Sequence, residues 1–168
     1  MNFTLPTVQQ ALVLLPFVLP IAVWVAWSDL KSMKIPNRAV LAMVAVWVAV
    51  GWYAVGLTPW LWSFALMAAV LVLGFLGNMI GLFGAGDAKF AAAMAGVFIG
   101  GDIYLIALLY AGCSLGALIL HRILKQIPAV RRATPDWTSW DKKKMFPMGL
   151  ALSAMLVLYL LAAFLPKG

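Results

Sequence analysis

An all-α, polytopic membrane protein with about six transmembrane helices is what this sequence predicts, and three observations carry the prediction. Hydrophobic residues make up 65% of the 168 and charged ones 10%, against roughly 45–50% and about 25% in an ordinary soluble domain. The apolar residues come in runs: 11–27, 39–57, 60–83, 103–120 and 145–166 hold no charged side chain, and a bilayer crossing takes roughly 20 such residues. Basic residues collect between particular runs, which gives the helices an orientation.

Taken in order, the first run carries Pro16 and Pro20, which membrane helices tolerate and which bend them. Residues 1–10 lack a positive n-region and the run ends in Trp27-Ser28-Asp29, so a cleaved signal peptide is not expected. Ile35-Pro36-Asn37 reads as the loop that ends the first helix and begins the second. Pro59 stands where a third helix would begin, a position that suits proline. The sixth span is expected between Ala88 and Gly101, short for a crossing unless its charged end, at Lys89, lies at the interface. Gly77/Gly81, Gly96/Gly100 and Gly112/Gly116 offer places for close helix contact. Only 121–144 is a sizeable extramembrane piece, so residues 1–168 read as one domain with a basic loop at about 121–144.

Eleven of the twelve basic residues fall in three connections: Lys31, Lys34 and Arg38; Lys89; and Arg122, Lys125, Arg131, Arg132 and Lys142 to Lys144. Lys167 alone falls on the other side. Cytoplasmic loops collect Lys and Arg, which puts these connections in the cytoplasm and both termini outside it. The net charge of +7 then expresses orientation and attraction to anionic lipid headgroups, and no nucleic-acid partner is expected. With one cysteine, Cys113, one histidine, His121, and no glutamate, the usual zinc sites are excluded and no cofactor is expected.

The acidic residues point to the chemistry. There are five: Asp29, Asp87, Asp102, Asp136 and Asp141. Asp102 falls on the outer side and Asp136 and Asp141 in the basic loop, which leaves Asp29 and Asp87 at the junctions of long apolar runs with cytoplasmic connections. An acid at such a depth is a functional candidate. Asp29 opens the stretch to Ile35-Pro36-Asn37; Asp87, 58 residues later, closes Gly84-Ala85-Gly86-Asp87 at the start of a helix. Two carboxyls that converge share one proton, so that the charged one can activate water while the protonated one polarises a peptide carbonyl. The blander alternative is that each aspartate caps a helix or pairs with Lys31 or Lys89.

Other signals read as structure. Gly112-Cys113-Ser114-Leu115-Gly116 fits the nucleophile-elbow pattern but lies mid-span, where the required strand-turn-helix context is missing. His121 reads as an interfacial residue. Ser28 or Ser32 with Lys31 or Lys34 lacks a means of desolvating the lysine.

On Asp29 with Lys34-Ile35-Pro36-Asn37, on Gly84-Ala85-Gly86-Asp87-Ala88-Lys89, and on the weaker Phe146-Pro147-Met148-Gly149-Leu150-Ala151-Leu152 block, the chain resembles the type IV prepilin peptidases. It is most similar to the short, peptidase-only form of the Flp or Tad pilus systems, which are Gly-x-Gly-Asp aspartyl proteases. The resemblance implies that Asp29 and Asp87 are the catalytic pair and that Gly84 and Gly86 shape the turn. It implies a substrate that is a prepilin with a short basic leader and a hydrophobic helix, and a multi-pass enzyme of the bacterial inner membrane cutting at the cytoplasmic face. Long members carry paired Cys-x-x-Cys motifs and methylate the new N-terminus; with one cysteine and an early first span, methylation is not expected here. The competing reading is a small proton-coupled transporter or a non-enzymatic pilus or secretion assembly subunit. Transport sites usually lie near the bilayer midplane, whereas these aspartates lie near its edge. Oligomeric state is left open.

Overall fold

The computed structural model describes residues 4–141 and 147–166; Lys142 to Lys144, Phe146 and Lys167 lie outside the described residues. It is all-helical over that span. The helices are α1 (Val8–Ser32), α2 (Asn37–Val55), α3 (Leu57–Met79), α4 (Ala85–Ala95), α5 (Ile103–Gln126), the short α6 (Pro128–Ala133) and α7 (Met148–Leu161), with 3₁₀ turns that prolong α4 over Gly96–Phe98 and α7 over Ala162–Phe164.

Four of these, α1, α2, α3 and α5, are long and apolar enough to cross a membrane. α4 and α7 are shorter. Even with its 3₁₀ extension α4 reaches only roughly 20 Å, less than the ~30 Å of a bilayer core. The short helices are the well-packed ones. α7 buries Leu152, Met155, Leu156, Tyr159 and Leu160, while α3 buries only Ser63 and Gly77, and α5 only Cys113, Ala117 and His121. A core of Leu14, Val18, Val25, Met43, Trp47, Phe90, Val97 and Leu156 thus joins α1, α2, α4 and α7. α3 lies against α4 and α2, α5 lies against α7, and α3 and α5 have no substantial contact with one another. Their outward faces are apolar, as at Leu71, Phe75, Leu108 and Leu115, which is how a helix bordered by lipid on one side and protein on the other must look.

Inside such a bundle each polar group needs a partner, since no water reaches it. Trp47, fully buried, donates from Nε1 to Ser63 Oγ at 2.8 Å, and its backbone carbonyl accepts from Trp60 Nε1 at 3.0 Å, which ties α2 to α3. Its indole fills the space that a Cβ on Gly96 would need, 2.5 Å away. Near the far end, Gln10 Nε2 donates to the Val97 carbonyl at 2.7 Å and joins α1 to the extension of α4.

The structure departs from the run lengths in two places. The apolar run 60–83 stops being helical at Met79, because Gly81 takes a left-handed φ of 77° and the Leu82 N–H turns back to the Gly77 carbonyl at 2.9 Å. The resulting turn leads into α4. The segment after the fifth run does not begin as a loop at 121, since α5 continues to Gln126. Trp137 and Trp140 are then buried, so the segment folds back onto the bundle.

Candidate active site

α1 ends because Met33 adopts φ 54° and its N–H closes on the Asp29 carbonyl at 2.8 Å. Pro36, extended at φ −65° and ψ 134°, stands as the N-cap of α2. This tight reversal leaves Asp29 one turn back from the end of α1, facing inward and only 4% exposed. Its Oδ2 accepts from the Gly149 backbone N–H at 2.6 Å. Gly149 is the second residue of α7, whose N-cap position is Pro147. Proline offers no side-chain acceptor to the unpaired N–H groups of a first turn, and the carboxyl of a distant helix supplies one.

Asp87 is the third residue of α4, and its Oδ2 accepts from the N–H of Gly84, the N-cap residue, at 3.2 Å. The capping role is therefore real, but it uses one oxygen of a half-buried side chain. Lys89 turns elsewhere: its Nζ reaches Asn37 Oδ1 at 3.4 Å, linking α4 to the start of α2.

The two aspartates come together around Ile35 and the first turn of α7. A Cβ on Gly86 would lie 3.4 Å from Ile35 Cβ, and one on Gly149 would lie 3.0 Å from both Ile35 Cδ1 and Asp29 Oδ2. Ile35, buried, is thus wedged between the turn carrying Asp87 and the turn holding Asp29. Met148, next to Gly149, lines with Asp87 a cavity of about 240 Å³. Asp29, Ile35, Pro36, Asn37, Gly84, Gly86, Asp87 and Lys89, all singled out in the sequence, therefore gather at one end of the bundle.

The other candidates do not join them. Ser28 donates to the Lys34 carbonyl at 2.9 Å and Ser32 to the Ser28 carbonyl at 2.8 Å, so both hydroxyls serve the backbone rather than a lysine. Ser114 sits mid-helix in α5. His121 corrects its interfacial reading: it is 2% exposed, with Trp140 stacked on it at a centroid distance of 5.2 Å. Trp137 stacks on Trp140 in turn at 5.4 Å and meets Trp27 edge-on at 5.1 Å, while Thr138 Oγ1 donates to the Lys31 carbonyl at 3.2 Å. The segment after α6 therefore roofs the end of α1 close to Asp29. Two residues of the site escaped the sequence reading. Gly149 lay inside a quoted block but had no assigned role, and Tyr110, on α5, which lines the cavity with Asp87 and Met148, had no signal beyond its place in an apolar run.

An apolar helical bundle that brings two carboxyls from separate helices to one end, one of them lining a cavity, has the architecture of a membrane protein with its acidic site at one end. The model of the type IV leader peptidase family matches residues 16–120, and the chain belongs to that family. It is accordingly a protease of the prepilin leader peptidase kind. Neither a curated protein nor a solved structure shows significant similarity to the chain. The matched stretch includes Asp29, Asp87 and Tyr110; Gly149 and the aromatic roof lie beyond it.

Proposed function

We propose that the protein is an aspartyl endopeptidase that removes the leader from Flp-type prepilins, with Asp29 and Asp87 as its catalytic pair. The observation that carries this reading is the convergence of two carboxyls, 58 residues apart in sequence, on either side of the first turn of α7. In the reaction the charged carboxylate takes a proton from water as its oxygen attacks the scissile carbonyl carbon. The protonated carboxyl hydrogen-bonds the carbonyl oxygen and then gives its proton to the departing amine as the C–N bond breaks. Ile35, Pro36, Asn37, Gly84 and Gly86 hold the two turns, and Lys89 braces α4 against α2.

The topology that goes with this reading has six crossings, with α4 and α7 as short spans inside the bundle. Both termini then lie outside the cytoplasm, and the basic connections, with the two aspartates, face the cytoplasm of a bacterial inner membrane. Anionic headgroups are the natural neighbours of Arg131 and Arg132, both exposed.

The test is incubation of the purified protein with an Flp-type prepilin, reading the new N-terminus by mass spectrometry. A single cut at the end of the basic leader is expected. Intact precursor with folded, membrane-inserted enzyme refutes the reading.

A further inference from the structure

The cavity beside Asp87 does not end there. It shares Val70, Ala91, Tyr110 and Leu152 with a second one of about 490 Å³, which continues along α4 as far as Gly100 and Gly101. Together they form a trough, with α3 and α5 as its walls and α4 and α7 as its floor. Its walls do not close over it, because α3 and α5 have no substantial contact. From Asp87 to Phe98 the trough follows α4 and its 3₁₀ extension, a length of roughly 20 Å at rises of about 1.5 and 2.0 Å per residue.

The lining is apolar, with small residues such as Ala95, Ala107 and Gly101 among larger ones such as Phe98 and Met155. Small residues are what allow a second helix backbone to approach closely in a membrane. Among the described residues that line the part beside Asp87, the one other polar side chain is Tyr110. It stands half-buried where the two cavities meet.

We propose that the apolar helix of the substrate enters sideways between α3 and α5 and lies in this trough, and that the Tyr110 hydroxyl donates a hydrogen bond to the substrate backbone at the trough's neck. This rests on the protease reading above. Two features point to a helix rather than a lipid chain: the small residues Ala91, Ala95, Gly101 and Ala107 along the trough, and its continuity with a carboxyl group. The leader end of the substrate then emerges past Tyr110 and meets Asp87, so the cut falls at the junction of polar leader and apolar helix. Tyr110 acts as a positioning residue.

The test has two arms, both with the full-length protein in membranes. For the trough, single cysteines at Ala107, which lines it, and at Leu108, which points to lipid, are placed in a Cys113→Ala background. Asp87→Asn is added to hold the substrate uncut, and each is crosslinked to a prepilin with a cysteine in its apolar helix. Crosslinking at 107 at least about tenfold above that at 108 is expected. Equal crosslinking at both positions, or crosslinks at 107 only between copies of the enzyme, overturns the trough. For the neck, Tyr110→Phe removes the hydroxyl and keeps the ring. A kcat lower by about tenfold, the worth of one ordinary hydrogen bond, with KM within about twofold, is expected; an unchanged kcat overturns the positioning role. Wild-type enzyme that cuts prepilin while both arms fail sinks this inference alone. Wild-type enzyme that cuts no prepilin sinks the protease reading itself.

Discussion

Asp29 and Asp87 are the same side chain in the same site, yet they are held in opposite ways. Asp29 is 4% exposed, and its carboxyl is gripped across the bundle by the Gly149 N–H at 2.6 Å. Asp87 is half-buried, accepts from the Gly84 N–H at the start of its own helix at 3.2 Å, its one hydrogen bond among the described residues, and faces an open cavity. One acid is fixed by tertiary structure and the other by its own local turn. Under the proposed function this difference divides the work: the fixed group sets the geometry of the pair, and the half-buried one faces whatever occupies the cavity.

The largest effect comes from removing either acid. Asp29→Asn and Asp87→Asn each keep the shape of the side chain and should lower kcat by about 10²–10⁴ or more, the range for a proton-transferring group. Groups that act as a unit lose their effect together, so the double variant should be no slower than the worse single one. Single-turnover cleavage of prepilin measures this. Independent, multiplying losses would mean that the two carboxyls do not act as a pair.

Next in size is a change that touches only the fixed acid. A Cβ on Gly149 would lie 3.0 Å from Asp29 Oδ2, 3.0 Å from Ile35 Cδ1 and 3.1 Å from Asp29 Cβ, and both of these neighbouring residues are buried. Gly149→Ala should displace the carboxyl by a few tenths of an ångström and cost roughly 10- to 100-fold in kcat, since a misplacement of ~1 Å is worth about 10². The corresponding change on the other side is Gly84→Ala, whose Cβ would meet Asp87 Oδ2 at 2.6 Å. There the neighbour is the free end of a half-exposed side chain, which can swing away at the loss of one exposed hydrogen bond, about 1 kcal/mol. A loss of roughly fivefold is expected. If Gly84→Ala costs more than Gly149→Ala in the same assay, the assignment of fixed and adaptable acids is reversed.

This asymmetry also marks what the sequence could and could not disclose. The site's local parts were legible: the reversal at Ile35-Pro36-Asn37 and the glycine turn before Asp87 each follow from residues adjacent in the chain. The runs without charge located the long helices to within about five residues, except where Gly81 turned the third one early and where α5 ran on to Gln126. What stayed hidden depends on one helix meeting another. Gly149 acts on Asp29 across 120 residues of sequence, and Tyr110 reaches the site only because α5 packs on α7. The fold-back that buries Trp137, Trp140 and His121 was equally hidden, since a basic, tryptophan-bearing segment reads as a solvated or headgroup-bound loop. Periodicity and composition report which faces are apolar but not which neighbour covers them.

The smallest expected effect concerns Lys89, which sits two residues after Asp87 and could be mistaken for its partner. Its Nζ instead reaches Asn37 Oδ1 at 3.4 Å, and both residues are exposed. A long, solvent-accessible contact of this kind contributes at most about 0.5 kcal/mol at the weak end of hydrogen-bond energies. Lys89→Met keeps the apolar stem and removes the charge, so it should change kcat by less than about threefold, with no effect on the insertion of the protein in the membrane. Asn37→Ala should do the same, and the two together no more than either alone, because they remove one shared contact. If Lys89→Met lowered kcat by about tenfold or more while Asn37→Ala left it unchanged, the ammonium would be acting on Asp87 through its charge. In that case Asp87, and not Asp29 alone, would depend on a group outside its own helical turn.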